Sequence, residues 1–303
     1  MSLLAVGSVA FDDLETPAGV REHLLGGSAS YFSLSASRFN PVQVVAVVGE
    51  DFGAAEEAVF AGRPIDLSGL VRQSGLSFHW KGCYGQDMNE AKTLETHLNV
   101  FADFHPDLPQ AFRKAPYLFL GNIDPRLQRE VLDQMEARPR WVALDTMNFW
   151  IEGSLKPLLD VLKDVDILLI NETESRLLTG ERNLVKAGER IRILGPRIVV
   201  IKRGEHGALL LTEEGAYACP AMPLREVIDP TGAGDTFAGG FLGHLAAKGD
   251  LEFNTLKQAM VMGTLMASFT VGQFGVEGLQ FLQDGQMAER LQSFSSMIHV
   301  DGL

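Results

Sequence analysis

The sequence predicts an α/β protein: a mostly parallel central sheet with helices on both faces, carrying a small discontinuous β lid. Three observations carry the prediction. Short runs of Val, Ile and Leu recur along the 303 residues and are apolar throughout, as in strands buried on both faces. Amphipathic stretches of helical length separate them. Two segments break this alternation with mixed polar, aromatic and β-branched residues, the composition of a sheet with one wet face.

The apolar runs place strands at Leu3–Val6, Val42–Val48, Tyr117–Leu120, Trp141–Leu144, Asp166–Ile170, Ile198–Ile201 and Ala208–Leu211. Between and after them, amphipathic spacing places helices at Ser28–Arg38, Ala54–Ala61, Pro125–Ala137, Leu155–Leu162, Glu172–Leu178, Leu184–Leu194, Thr236–Lys248, Thr255–Gly272 and Gln286–Phe294. The interruptions are residues 11–25 and 76–101. In the second, Leu76–Tyr84, Ala91–Thr96 and Leu98–Phe101 read as strands, with Met88-Asn89-Glu90 as the turn between the first two. Phe78, Trp80 and Tyr84 alternate onto one face. A plain surface hairpin covering the core is the other reading of this stretch. No internal repeat, low-complexity tract or long linker divides the chain, so one domain is expected across residues 1–303.

With 46% hydrophobic and 21% charged residues, the chain can bury a sizeable core. A formal charge of −13 argues against non-specific nucleic-acid binding, which needs basic surface to displace phosphate counterions. It leaves room for a nucleotide, whose phosphates local N–H groups and a metal can hold. Cys83 and Cys219 form neither a metal-ligand spacing nor a disulfide framework. The opening residues lack the basic lead and apolar run of a signal peptide, and no apolar run approaches about 18 residues. A soluble, cytoplasmic protein with no membrane partner is expected.

The most informative stretch is Asp229-Pro230-Thr231-Gly232-Ala233-Gly234-Asp235-Thr236-Phe237. It reads as a tight glycine turn running into a helix, since Phe237, Phe241, Leu242 and Leu245 then recur at helical spacing. The first N–H groups of such a helix lack intrahelical partners and carry partial positive charge, so this end can hold a phosphate or a developing oxyanion. The N–H groups of Gly232, Ala233 and Gly234 are the candidate anion hole. Asp235 stands where a base could take a proton from a nucleophile attacking that phosphate. A turn with a capping aspartate would explain Gly-Ala-Gly alone. It would not explain Gly239, Gly240 and Gly243, each costing about 1 kcal/mol against Ala in a helix interior. They point to close approach of another backbone or a ligand.

This run resembles the C-terminal signature of the ribokinase/PfkB-like family of carbohydrate and nucleoside kinases. Further landmarks follow in the family's order over nearly the whole chain: Gly7-Ser8-Val9-Ala10-Phe11-Asp12, Gly26-Gly27-Ser28-Ala29, Val48-Gly49-Glu50-Asp51-Phe52-Gly53, Asn171-Glu172-Thr173-Glu174 and Lys202-Arg203-Gly204-Glu205-His206-Gly207-Ala208. The resemblance implies a ribokinase-like fold, ATP and Mg2+ as cofactors, and two insertions paired into a lid over a sugar site. It implies that Asp235 is the general base and that residues 232–234 form the anion hole. Asp12 would accept two sugar hydroxyls, with Gly26 and Gly27 letting the sugar approach the backbone. Phe78 and Trp80 would face the acceptor from the lid.

Asn171 and Glu174 follow a strand, three residues apart, and so share one face of a helix's first turn. The spacing also fits a capping box, and both can hold at once. By resemblance this element organises magnesium and phosphates, with Glu174 acting through water. Lys202, Gly204 and Gly263 fall where the family builds its nucleotide-base pocket, Val261–Gly272 supplying a wall. Asp229 and Thr231 match positions that bind a monovalent cation, K+, in some members. A homodimer through the lid is a further expectation. One departure stands out: many ribokinase-like members carry Asn where this chain has Tyr31, an aromatic that could stack on a ring. His206, in a glycine-flanked turn, is expected to face solvent.

The reading is therefore an ATP-dependent phosphotransferase acting on a hydroxyl of a small sugar. A nucleoside kinase is the alternative within the class, and a catalytically inactive sugar-binding regulator the alternative outside it. An α/β hydrolase would want a Gly-x-Ser-x-Gly elbow, which the sequence lacks. No Gly-x-x-x-x-Gly-Lys-Ser/Thr loop or His-Glu-x-x-His motif is present either.

Overall fold

The computed structural model describes residues 2–89 and 91–299. Its strands are β1 (Leu3–Val6), β2 (Ala10–Thr16), β3 (Gly19–Gly26), β4 (Val42–Val48), β5 (Ile65–Arg72), β6 (Phe78–Tyr84), β7 (Ala91–His97), β8 (Tyr117–Leu120), β9 (Trp141–Asp145), β10 (Ile167–Asn171), β11 (Ile198–Lys202), β12 (Ala208–Leu211) and β13 (Ala216–Cys219). The helices are α1 (Ser28–Ala36), α2 (Ala54–Phe60), α3 (Pro125–Gln134), α4 (Asn148–Gly153), α5 (Leu155–Leu162), α6 (Glu172–Thr179), α7 (Leu184–Ile193), α8 (Ala233–Lys248), α9 (Phe253–Thr270), α10 (Glu277–Gln280) and α11 (Asp284–Ile298).

Among the described residues, nine strands form one sheet in the order β13-β12-β11-β10-β9-β8-β1-β4-β5. From β11 to β5 the neighbours run parallel, and β12 and β13 close the other edge antiparallel. Alternation assigns the two faces. In β1, Leu3 and Ala5 join the core that packs α1, α8 and α9, while Leu4 and Val6 join the core under α3, α5 and α7. A strand buried on both faces has no place for a polar side chain except at its ends, which explains the uniformly apolar runs. No helix among the described residues is long and apolar enough to cross a membrane.

The second sheet has the order β3-β2-β6-β7 and is the expected lid. β2 and β6 lie side by side and parallel, with Ala10 opposite Phe78 and Asp12 opposite Trp80. Two segments some sixty residues apart in the chain thus share one small sheet. Its limits differ from the expectation at one end. Leu98–Phe101, read as a strand, lies instead in a 3₁₀ turn spanning Asn99–Asp103. The cause is local: Asn99 takes φ +50°, in the left-handed region, and its side chain donates to the Ser77 carbonyl. The β6–β7 turn includes Asp87 and Asn89, whose N–H donates to the Asp87 carboxylate. Glu90 of the expected turn lies outside the described residues.

Two strands escaped the sequence reading. β5 is an edge strand whose residues are mostly half-buried or exposed, so it lacks the apolar signature. β13 is the opposite edge and is buried only at Cys219.

Candidate active site

The carboxyl ends of β9, β10 and β11 converge on the amino end of α8. Asp145 ends β9, Asn171 ends β10 and Lys202 ends β11, where open α/β sheets place their ligands. α8 starts at Ala233, three residues earlier than expected, so Asp235 lies in its first turn. Gly232 precedes it with φ +71°. A Cβ there would fall 2.3 Å from the Tyr31 ring, so backbone conformation and packing both demand glycine.

Of the three expected N–H donors, Ala233 turns back to the Pro230 carbonyl at 3.1 Å. That N–H is thus engaged, and Gly232 and Gly234 remain the candidate donors of the expected anion hole. The helix glycines answer the question the sequence raised. A Cβ on Gly239 would sit 2.4 Å from the Phe32 carbonyl of α1, and one on Gly240 would sit 2.8 Å from the Met262 carbonyl of α9. Backbone approaches backbone on both sides of α8. Gly263, expected in a base pocket, belongs to the same crossing, with a Cβ 2.8 Å from the Phe237 carbonyl.

Asp235 has a pKa pushed up to about 7 by burial first and then by the Asp145 carboxylate, with Lys202 pulling it down. Asp12 is buried on β2 and is pushed to about 8 by burial, then by Asp229, Asp235 and Asp13. Gly26 makes room for it, since a Cβ there would overlap the Asp12 carboxylate. A Cβ on Gly27 would fall 2.5 Å from the Ser8 carbonyl. At both glycines the direction a Cβ would take is filled by the protein itself.

Glu174 meets the capping-box expectation. It closes a capping box, its carboxylate accepting the Asn171 N–H at 2.9 Å while its own N–H donates to Asn171 Oδ1 at 2.8 Å. It is also buried, raised to about 7 by that burial, and near enough to Lys202, Asp145 and Asp235 to feel each charge. Lys202 points to the amino end of α8, beside Gly234, with its Nζ 2.6 Å from Asp145 Oδ2. Gly204 takes φ +53°, and a Cβ there would meet Asn89 of the lid turn at 2.2 Å. Both oxygens of Asp229 are engaged, accepting from Thr231 N–H at 2.9 Å and Gly275 N–H at 2.8 Å. It therefore ties the glycine turn to the loop after α9.

The lid touches the glycine turn through Tyr84. Thr231 Oγ1 donates to Tyr84 Oη at 3.1 Å, and Trp80 lies opposite Asp12 in the sheet register. The Trp80 indole covers Gly82 and donates to Thr93 Oγ1. Phe78 stacks on Phe101 at 5.4 Å, and Phe101 stacks on buried Phe104. Tyr31 is not free to stack on an acceptor, because its ring is 1% exposed and packed under Gly232. Its hydroxyl is buried with no hydrogen-bond partner among the described residues and is pushed well up by burial and the nearby Asp12. His206 is exposed beside Glu205, as expected.

A family model described as pfkB family carbohydrate kinase matches residues 9–280. The chain belongs to the pfkB family. Within it, cytidine kinase of Thermococcus kodakarensis is 29% identical over 249 residues, 80% of this chain and 87% of that protein. Aminoimidazole riboside kinase of Salmonella typhimurium is 41% identical over 76 residues, 25% of this chain and 24% of that protein. Among solved structures, aminoimidazole riboside kinase of Salmonella enterica, complexed with aminoimidazole riboside and an ATP analog, has TM-score 0.77 at 21% identity, covering 96% of this chain and 100% of that one. An E. coli protein in complex with ATP and Mg2+ has TM-score 0.80 at 17% identity, covering 96% and 99%. At such identities the structural likeness establishes the ribokinase-like fold, and family membership makes the chain a carbohydrate kinase.

In this pfkB chain the sequence reading missed Asp145, which faces both Lys202 and Asp235. One signal could have found it: a lone carboxylate closing an otherwise apolar strand, at the sheet edge where Asn171 and Lys202 also stand.

Proposed function

We propose that this chain transfers the γ-phosphoryl group of ATP to a primary hydroxyl of a small sugar. One observation carries the reading: Asp235, at the amino end of α8, is close enough to raise the buried Asp12 carboxyl on the lid side and is itself acted on by Asp145 and Lys202 at the carboxyl ends of β9 and β11. A hydroxyl held by Asp12 could face a phosphate held by the first turn of α8, with the base between them. Asp235 accepts the proton of the acceptor hydroxyl as its oxygen attacks the γ-phosphorus. The electron pair of the breaking bond goes to the bridging oxygen of departing ADP. Such transfer needs positioning and charge stabilisation more than covalent help.

The fit to magnesium follows from the donor set. No three His, Cys, Asp or Glu side chains among the described residues gather as a metal cage. One buried carboxylate, Glu174, suits an ion that keeps its waters and arrives on phosphate oxygens. Magnesium there would neutralise charge on the phosphates. Asn171 and Glu174 would orient its waters.

A nucleoside acceptor is the second reading. It is favoured by the match spanning 87% of a cytidine kinase. A K+ site at Asp229 and Thr231, a cytoplasmic setting and a dimer through the exposed strand β7 extend the proposal. They are tested by exchanging KCl for NaCl and by light scattering. The deciding experiment for the reading itself is ATP turnover with pentoses, hexoses, keto-acid sugars and nucleosides. Turnover with a sugar alone supports the first reading, and turnover with nucleosides alone replaces it by the second. Turnover with none sinks both.

A further inference from the structure

Lys202 is placed as though its ammonium had replaced a side chain on the anion hole. A Cβ added to Gly234 would fall 3.0 Å from Lys202 Nζ, with Cε and Cδ at 3.7 and 3.8 Å. The lysine therefore lies along the first turn of α8, against the glycine whose N–H helps form the hole. Its side chain is 17% exposed and that of Asp145 is 6% exposed, so the charge pair works largely out of water. Asp145 is itself fixed, its Oδ1 accepting the Thr146 N–H at 2.9 Å. An ammonium has three donors, and among the described residues Asp145 is the one hydrogen-bond partner of this one. Donors remain for a ligand that approaches Gly234.

The surrounding charge points the same way. Asp145, Glu174 and Asp235 all act on Lys202, three carboxylates around one ammonium. An anionic phosphoryl group entering this cluster needs positive charge to offset these carboxylates, and Lys202 and the helix end are what supply it. A lysine in a nucleotide-base pocket would have no reason to sit here.

We propose that Lys202 is a catalytic residue that contacts the transferring γ-phosphoryl group, and that Asp145 is the positioning residue holding its ammonium against Gly234. The proposal rests on the kinase reading. Lys202 exchanges no proton in the step: the acceptor proton goes to Asp235, the new O–P bond forms, and the old one leaves its electron pair on ADP. Lys202 neutralises charge on the γ-phosphoryl oxygens as the group passes.

The experiment compares ADP with a non-hydrolysable ATP analogue, by calorimetry in magnesium, for wild type, Lys202→Met and Lys202→Arg. Loss of a charged hydrogen bond should weaken the analogue about tenfold in Lys202→Met and leave ADP within about twofold. With the acceptor found by screening, kcat should fall about 10²–10³-fold while the acceptor KM stays within about threefold. Lys202→Arg should recover part of both losses. Lys202→Met leaves Asp145 buried and unpaired, so Lys202→Met/Asp145→Asn serves as a neutral background that folds without the ammonium and should show the same split. Equal weakening of ADP and analogue would return Lys202 to a base pocket and overturn the proposal. So would a lower Tm with unchanged binding and kcat. A wild type that binds the analogue but phosphorylates no acceptor would sink the transfer reading, while the binding split would still decide the γ-phosphate contact.

Discussion

α8 is held by backbone pressed against backbone just beyond its amino end, whereas the lid face at Phe78, Trp80 and Tyr84 is built from half-buried side chains on a small sheet. At the first, Gly239 and Gly240 leave no room for a Cβ against α1 and α9. At the second, β7 is exposed at every position and the three aromatics retain partial exposure. The helix end can hold atoms to a fraction of an ångström without moving, which charge stabilisation requires. The lid can open at the cost of few buried contacts, which substrate entry and water exclusion require. The comparison predicts that damage at the first region appears in kcat and damage at the second in acceptor KM.

The largest effect tests the helix end directly. Asp235→Asn should keep the fold and lower kcat about 10²–10⁴-fold, the usual worth of a general base. Near-normal turnover in a folded protein with wild-type Tm would remove Asp235 from that role. The same residue sets a pH profile. Its pKa of about 7 means that the ionised base accumulates as pH rises through 7, so kcat/KM should climb over that range. A profile flat from pH 6 to 8 would contradict it.

Glu174→Gln should come next, raising the magnesium concentration needed for half-maximal turnover about tenfold while acceptor KM moves little. An unchanged magnesium titration would leave Glu174 with its capping box alone.

On the lid, Trp80→Ala should raise acceptor KM severalfold with little loss of Tm, because Trp80 pairs with Asp12 in the sheet while its indole covers Gly82 of its own strand rather than core. Phe78→Ala is the sharper test of where the lid ends. Its stack on Phe101 and Phe104 links it to buried packing. It should lower stability as well as raise KM, though by less than the roughly 3–5 kcal/mol of a fully buried Phe. A large drop in Tm with unchanged KM would make this end of β6 ordinary core.

The smallest effect concerns stability and pH. Asp12 and Asp235 have folded pKa values of about 8 and 7, raised above an ordinary value of 3.8, so the folded state binds protons more tightly than the unfolded one. Their stabilising contribution is complete below about pH 4 and is lost as pH rises through 7–8. The Tm of the ligand-free protein should therefore decline from pH 6 to 9, and Asp12→Asn should flatten that decline. A Tm that rises over the interval would refute the sign.

Local physics made much of this legible in the chain itself. Uniformly apolar runs fixed β1, β4, β8 and β12 to the residue, because a strand buried on both faces tolerates nothing else. The glycine turn before α8 and the Asn171–Glu174 box are likewise local, written in residues three or four apart. Sequence could also say that the glycines of α8 were kept for close approach. It could not say to what: α1 lies some two hundred residues away in the chain, and only packing brings the Phe32 carbonyl against Gly239. Nor could local pattern pair β2 with β6, turn Tyr31 beneath Gly232 or reveal β5, whose exposed edge dilutes the apolar signal. The Lys202–Asp145 pair belongs to the same category. Each residue merely ends a strand in the sequence, and their charges meet because the parallel sheet aligns the carboxyl ends of β9, β10 and β11. Propensity and period act over a few residues, whereas electrostatic neighbours in an α/β fold come from strands joined by whole helices, so tertiary structure alone decides them.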